Sequence, residues 1–232
     1  MPTLVHSAAH DRARYAELSD RELLLALAAD DEQALDEVIT RKSGPLLQLA
    51  WRVVGDREDA RDIVQLTFLR AWEHRARYNP RYSPNTWLYR IATNLGIDLL
   101  RSRRAKTRQS EPVRHHFVRL ADLRRGSVGE LENREVTAIL HELATTLSER
   151  QRAVFMLREV EGLSSREVAE ILGCRSSTVR NHLFAARKTL RRELGRRYPE
   201  YAKSRRDKSQ EAESHKAESH KAESHEDSGG AA

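Results

Sequence analysis

Gly162-Leu-Ser-Ser-Arg-Glu-Val-Ala-Glu-Ile-Leu-Gly-Cys-Arg-Ser-Ser-Thr-Val-Arg-Asn-His-Leu183 reads as two short helices joined by a tight turn. Ser164 and Glu167 have the spacing of a capping box, and Gly173 stands where the first helix must stop. Ala169 is small where the two helices cross, and Val179 anchors the second. With Leu183, Ala186, Leu190 and Leu194, Val179 forms an apolar stripe at helical spacing. The opposite side carries Ser177, Arg180, Asn181, Phe184, Arg187, Lys188 and Arg191. Asparagine and arginine can bond base edges in a major groove, phenylalanine can touch a thymine methyl, and the later cations can hold phosphate. An αα-hairpin with a basic outer face fits the same pattern, and Phe184 could instead tuck back against the domain. Cys174 reads as a small apolar filler of the turn.

Upstream, Ser148 can cap a helix carrying Val154, Phe155 and Met156, preceded by a stripe of Val136, Ile139, Leu140, Leu143 and Leu147. Between about Ala105 and Glu130 the periodicity dissolves into scattered arginines, glycines and a His115-His116 pair, which reads as a linker. The histidine pair has no cysteine or carboxylate at ligand spacing and reads as solvated chain.

The first half is also helical. Ser19 and Glu22 form a second capping-box pattern before Leu23, Leu24 and Leu27, and Asp30 or Asp31 starts another helix, which Gly44-Pro45 is expected to break. A further stripe, Leu46, Leu47, Ala50, Trp51 and Val54, runs to Gly55 as its C-cap. Ala60, Ile63, Val64, Thr67, Phe68, Ala71 and Trp72 make one buried face, whereas Asp62, Gln65, Leu66, Leu69 and Glu73 lie opposite. Two leucines among acids and an amide suit a partner surface; a neighbouring helix of the same domain could equally cover them.

Tyr78-Asn-Pro-Arg-Tyr-Ser-Pro-Asn85 is a loop, with Ser83 placed to cap the next helix and Pro84 at its first position. That helix is expected to bury Trp87, Leu88, Ile91, Leu95 and Leu99, and to project Arg90, Thr93, Asn94, Ile97, Arg101 and Arg104.

The formal charge of +6 over 232 residues is unevenly spread: Arg101–Arg125 carries +7 and Thr146–Arg197 +6, beside near-neutral or acidic stretches. Two basic blocks suit two contacts with a polyanion. The single cysteine excludes an internal disulfide, and no glycine-rich phosphate loop is present. The longest apolar run, Leu23 to Ala29, is far short of the roughly 18 residues a membrane span needs. No membrane insertion, metal or cofactor is expected, and a cytoplasmic location is.

Three segments in this order, Gly55–Phe68, Trp87–Asp98 with Arg101 behind it, and Leu147–Phe155 followed by the helix-turn-helix, resemble the extracytoplasmic-function sigma factors, the minimal specificity subunits of bacterial RNA polymerase. The resemblance implies a non-enzymatic all-α fold of two small helical domains, sigma region 2 and sigma region 4, joined by a flexible basic linker. It implies a flexible N-terminus over 1–18, region 2 over 19–104, linker over 105–130, region 4 over 131–197 and a tail over 198–232. It assigns Asp62, Gln65, Leu66 and Leu69 to the β′ clamp helices of core polymerase. The same resemblance places Tyr78, Asn79, Tyr82, Asn85, Arg90, Asn94, Arg101 and Arg104 on the minus-ten promoter element, with the Tyr78–Asn85 loop capturing a flipped base. It places Arg175, Ser177, Thr178, Arg180, Asn181, Phe184, Arg187 and Lys188 on the minus-thirty-five element. Implied partners are core polymerase (β′ clamp helices and β flap), promoter DNA and an anti-sigma factor. A conventional helix-turn-helix regulator is the competing reading, and it leaves the Asp62–Leu69 face and the Tyr78–Asn85 loop without a purpose. Leu66 departs from the acid common after the family's glutamine, and Arg61 stands where an acid is frequent. The fivefold-spaced His215, His220 and His225 sit in a low-complexity tail with no helical stripe and read as disordered.

Overall fold

The computed structural model describes residues 14–109 and 128–200, and every regular element among them is helical. The elements are α1 (Asp20–Ala28), α2 (Glu32–Val54), α3 (Arg57–Glu73), a 3-10 turn (Arg75–Arg77), α4 (Pro84–Gln109), α5 (Val128–Ala144), α6 (Glu149–Phe155), a π-turn (Met156–Val160), α7 (Ser165–Leu172) and α8 (Ser176–Arg197). The chain divides into two units between Arg187 and Lys188, inside α8. In the C-terminal unit Glu193 collects Arg192, Arg196 and Arg197, and the hydrogen bond from Arg196 holds its carboxyl below the usual range.

Caps define the helix starts as the sequence predicts. Ser19 with Glu22, Ser148 with Gln151 and Ser164 with Glu167 close reciprocal capping boxes, and Asp31 and Asp56 cap α2 and α3. Gly55 (φ 84°) and Gly173 (φ 61°) end α2 and α7 in the left-handed region, where an L side chain is strained. In the first half α2, α3 and α4 pack on one another around Leu23, Leu24, Leu27, Leu46, Leu49, Val53 and Leu88. Each such leucine contributes about 1.5–3 kcal/mol by leaving water. The second half buries Val154, Met156, Leu157, Val168, Ile171 and Val179.

The structure departs from these expectations in four places. Gly44-Pro45 does not break the helix: α2 runs unbroken through Pro45. Pro45 lacks the N–H for one helical bond, but Val38 before it and Leu46 and Leu49 after it sit in the same core and hold the axis together. Thr93 and Ile97 do not project outward; both are buried, whereas Trp87, Ile91, Leu95 and Leu99 are half-buried. The buried stripe of α4 is rotated because Gly96 lies against α2, where an added Cβ would fall 3.0 Å from Val53 Cγ1. Val136 is exposed rather than part of its stripe. Helix α4 also continues to Gln109, past the expected linker start, and α5 begins at Val128. The rest of the linker with His115 and His116, the first thirteen residues and the histidine repeats lie outside the described residues.

Candidate nucleic-acid interface

Helix α3 buries Ala60, Ile63, Val64, Thr67, Phe68 and Ala71 on one side. Its other side exposes Asp62, Gln65, Leu66 and Leu69, the leucines at 43% and 52%. No described neighbour covers them.

In the Tyr78–Asn85 loop Tyr78 is buried, its ring 5.3 Å from that of Trp87 and its hydroxyl 3.4 Å from the Tyr82 carbonyl. Burial pushes the Tyr78 phenol up. The ring that faces solvent is Tyr82, at 39% exposure. Tyr78 therefore shapes the loop from inside, and Tyr82 is the aromatic free to stack. Asn79 Oδ1 accepts from the Arg81 N–H (3.0 Å), and Asn85 Oδ1 accepts from Lys42 Nζ (2.9 Å). Backbone N–H and ammonium groups only donate, so both amide oxygens are engaged and each exposed asparagine offers its NH2 to solvent. Ser83 Oγ accepts from the Thr86 N–H at 3.0 Å and starts α4 as expected.

Along α4 the side chains of Arg90, Asn94, Arg101 and Arg104 are exposed. Arg101 approaches Asp98 at 3.7 Å, and Arg104 bonds Glu149 of α6 at 3.2 Å. Burial works to raise the Glu149 carboxyl, but its own backbone N–H and Arg104 outweigh it, and the group sits below its ordinary range. Arg103 differs from its neighbours: it forms a two-pronged pair with Asp59 of α3, one contact at 2.5 Å, and fixes the end of α4 on the bundle.

The helix-turn-helix has the geometry its sequence predicts. Glu167 Oε2 accepts from the Ser164 N–H at 2.8 Å, and the Cys174 N–H bonds the Ala169 carbonyl at 3.0 Å across the turn. The hydrogen bond from Ser164 holds the Glu167 carboxyl low. Arg175, Ser177, Arg180, Asn181, Phe184, Arg187 and Lys188 are exposed, and Thr178 is half-buried. Phe184, at 72% exposure, does not fold back. Arg187 pairs with Glu159 of the π-turn at 2.8 Å.

One cluster escaped the sequence. His141 of α5 lies with its ring 4.4 Å from that of Trp51 in α2, and Arg152 of α6 is only 5% exposed beside Gly55. Trp51 Nε1, His141 Nδ1 and Arg152 Nε are all buried without a hydrogen-bond partner. Burial, reinforced by Arg152 and Arg52, pushes His141 down to about 4, and burial lowers Arg152 to about 10. No sequence pattern joins these residues, because they come together only when the two halves pack. Among the described residues no group of three or more His, Cys, Asp or Glu is placed to hold a metal ion, and no helix is long and apolar enough to cross a membrane.

Comparisons with known proteins fall on the same two halves. Residues 38–106 match the Sigma-70 region 2 model and residues 137–190 the Sigma-70 region 4 model. The ECF RNA polymerase sigma factor SigE of Mycolicibacterium smegmatis is 30% identical over 180 residues, covering 76% of this chain and 69% of that one. The RNA polymerase sigma-H factor of Pseudomonas aeruginosa is 29% identical over 181 residues, covering 75% and 93%. A solved structure of CnrH in complex with the cytosolic domain of CnrY superposes with a TM-score of 0.55 at 25% identity, covering 77% of this chain and 98% of that one. The chain belongs to the extracytoplasmic-function family of RNA polymerase sigma factors.

Proposed function

We propose that this chain is an alternative sigma factor that binds core RNA polymerase, reads a promoter at two elements and opens the duplex without chemistry of its own. It acts in the cytoplasm, where polymerase is, and is held in check by an anti-sigma factor; the similar CnrH was solved with a bound partner, the cytosolic domain of CnrY. In this reading residues 19–104 form region 2, 105–130 the linker, 131–197 region 4 and 198–232 a tail. Asp62, Gln65, Leu66 and Leu69 meet the β′ clamp helices, and region 4 reaches the β flap. Tyr82, Asn79 and Asn85 receive the flipped base on a floor made by Tyr78. Arg90, Asn94, Arg101 and Arg104 follow the minus-ten strand, and Arg175 to Lys188 read the minus-thirty-five element.

The observation that carries the reading is the exposed pair Leu66 and Leu69 on a helix whose other face is fully committed to the core. A DNA-binding regulator has no use for that surface, whereas a polymerase subunit requires one. Reconstitution of purified chain with core polymerase on native promoter fragments tests it: a promoter-specific transcript is expected, and its absence on every fragment overturns the proposal.

A further inference from the structure

Lys42 of α2 ties the Tyr78–Asn85 loop to the start of α1. Its ammonium pairs with Asp20 in the first turn of α1 and donates to Asn85 Oδ1 at 2.9 Å. The Arg41 guanidinium, 3.4 Å from the other Asp20 oxygen, holds the carboxylate from the neighbouring position. The Lys42 side chain is only 13% exposed, and two of its three N–H groups are spent on these partners. Such a lysine is poorly placed to meet a phosphate and well placed to act on the loop. An ammonium has no acceptor, so Asn85 can turn only its carbonyl oxygen toward it, which leaves the NH2 for solvent.

Asn79 is set in the same way. Its Oδ1 accepts from the Arg81 N–H at 3.0 Å, while its backbone carbonyl accepts from the Tyr82 N–H at 3.0 Å. Beside the exposed Tyr82 ring the loop therefore offers two amide NH2 groups, with both amide oxygens turned to the protein. An asparagine reads adenine by using both ends of its amide: the oxygen accepts from N6 and the NH2 donates to N7. Lys42 takes the Asn85 oxygen out of that role, and its charge opposes the approach of adenine's amino group. The NH2 that remains needs an acceptor. Thymine, cytosine and guanine each carry a carbonyl oxygen, and adenine carries none.

We propose that Lys42 is a positioning residue that sets base specificity: by holding Asn85 Oδ1 it makes the loop a reader of carbonyl-bearing bases that rejects adenine. That a flipped base enters this loop is taken from the proposed function. The donor-only edge stands on the two hydrogen bonds and on the chemistry of the ammonium and backbone N–H groups.

The test uses holoenzyme, the full chain with core polymerase, titrated with native promoter DNA in which each non-template position of the minus-ten element is varied through the four bases. One position should bind adenine about fivefold or more weakly than the best carbonyl-bearing base. Lys42→Met should shrink that penalty about threefold or more at that position alone, a pattern that a general loss of fold would not produce. Asn85→Asp, which puts an oxygen where the NH2 stood, should move the same position toward adenine. Melting by circular dichroism checks that both variants fold; if Lys42→Met does not, Asn85→Asp decides, and an unmoved order of bases overturns the proposal. So does the absence of any position that disfavours adenine, or a Lys42→Met chain that keeps the penalty or lowers it at every position alike. A promoter-specific transcript from the unsubstituted holoenzyme alongside any of these results removes the specificity proposal alone, whereas no transcript removes the sigma reading.

Discussion

Replacing Leu66 and Leu69 by alanine separates a partner surface from a core surface. Full burial of a leucine side chain is worth about 1.5–3 kcal/mol, and these two retain 43% and 52% of their exposure in the free chain. If core polymerase covers what is left, each leucine contributes about 1 kcal/mol to binding, and the pair about 1.5–3 kcal/mol. The double variant should therefore bind core polymerase roughly 10- to 100-fold more weakly. Its thermal midpoint should fall by only several degrees, because about half of each side chain is already in water in the free chain. Fluorescence anisotropy titration with labelled chain and core polymerase measures the first quantity and a circular dichroism melt the second. A stability loss of several kcal/mol with unchanged polymerase affinity would refute the reasoning, since the leucines would then belong to the chain's own interior.

Three further outcomes follow from the same geometry. His141 is buried against Trp51 beside Arg152 of α6 and Arg52 of α2, which itself pairs with Glu161; its value falls from an ordinary 6.5 to about 4 on folding, so this packing is fully favoured above pH 6.5 and weakens as the pH drops toward 4. At pH 5.5 the folded form should be weaker by about 1.4 kcal/mol, and the drop in melting temperature between pH 7.5 and pH 5.5 should be smaller in His141→Phe than in the unsubstituted chain. Gly55→Ala must accept a left-handed residue and a Cβ 2.7 Å from Arg152 Nη2, whereas Gly162→Ala meets nothing within 4 Å, so both lose about 1–2 kcal/mol of backbone energy but the first, which must also displace Arg152, should melt at the lower temperature. Lys42→Met releases the Asn85 amide to turn, and transcription from promoters varied at the flipped base should show a relaxed preference with little change in melting temperature; an unchanged preference removes Lys42 as a positioning residue.

Helix positions were legible because caps and periodicity are local. Ser19, Ser148, Ser164, Gly55 and Gly173 punctuate the chain as their chemistry requires. Pro45 misled for the opposite reason: a local breaker lost to the apolar packing of Val38, Leu46 and Leu49, which no window around the proline contains. Thr93 and Ile97 were misplaced because Gly96 lets α2 approach from an angle that sequence spacing cannot register. Within the site, residue types on α3 and α8 and their exposure agree, whereas Tyr78 and Tyr82 look alike in sequence and only the stack on Trp87 tells floor from face. The Trp51–His141–Arg152 cluster joins residues about a hundred positions apart and leaves no trace in any one segment.

Arg152 shows where packing works against a polar group. An arginine at 5% exposure with its Nε unpartnered loses hydration without gaining an ion pair, and such orphaned groups cost about 1–3 kcal/mol or more each. The Arg104–Glu149 pair nearby on the same packed face returns only about 0.2–1 kcal/mol. Apolar burial therefore has to supply the hold around Arg152. Arg152→Met removes the buried charge and keeps most of the volume, so the melting temperature should be equal or higher. A clearly lower melting temperature would refute this, because the guanidinium would then support the fold instead of loading it.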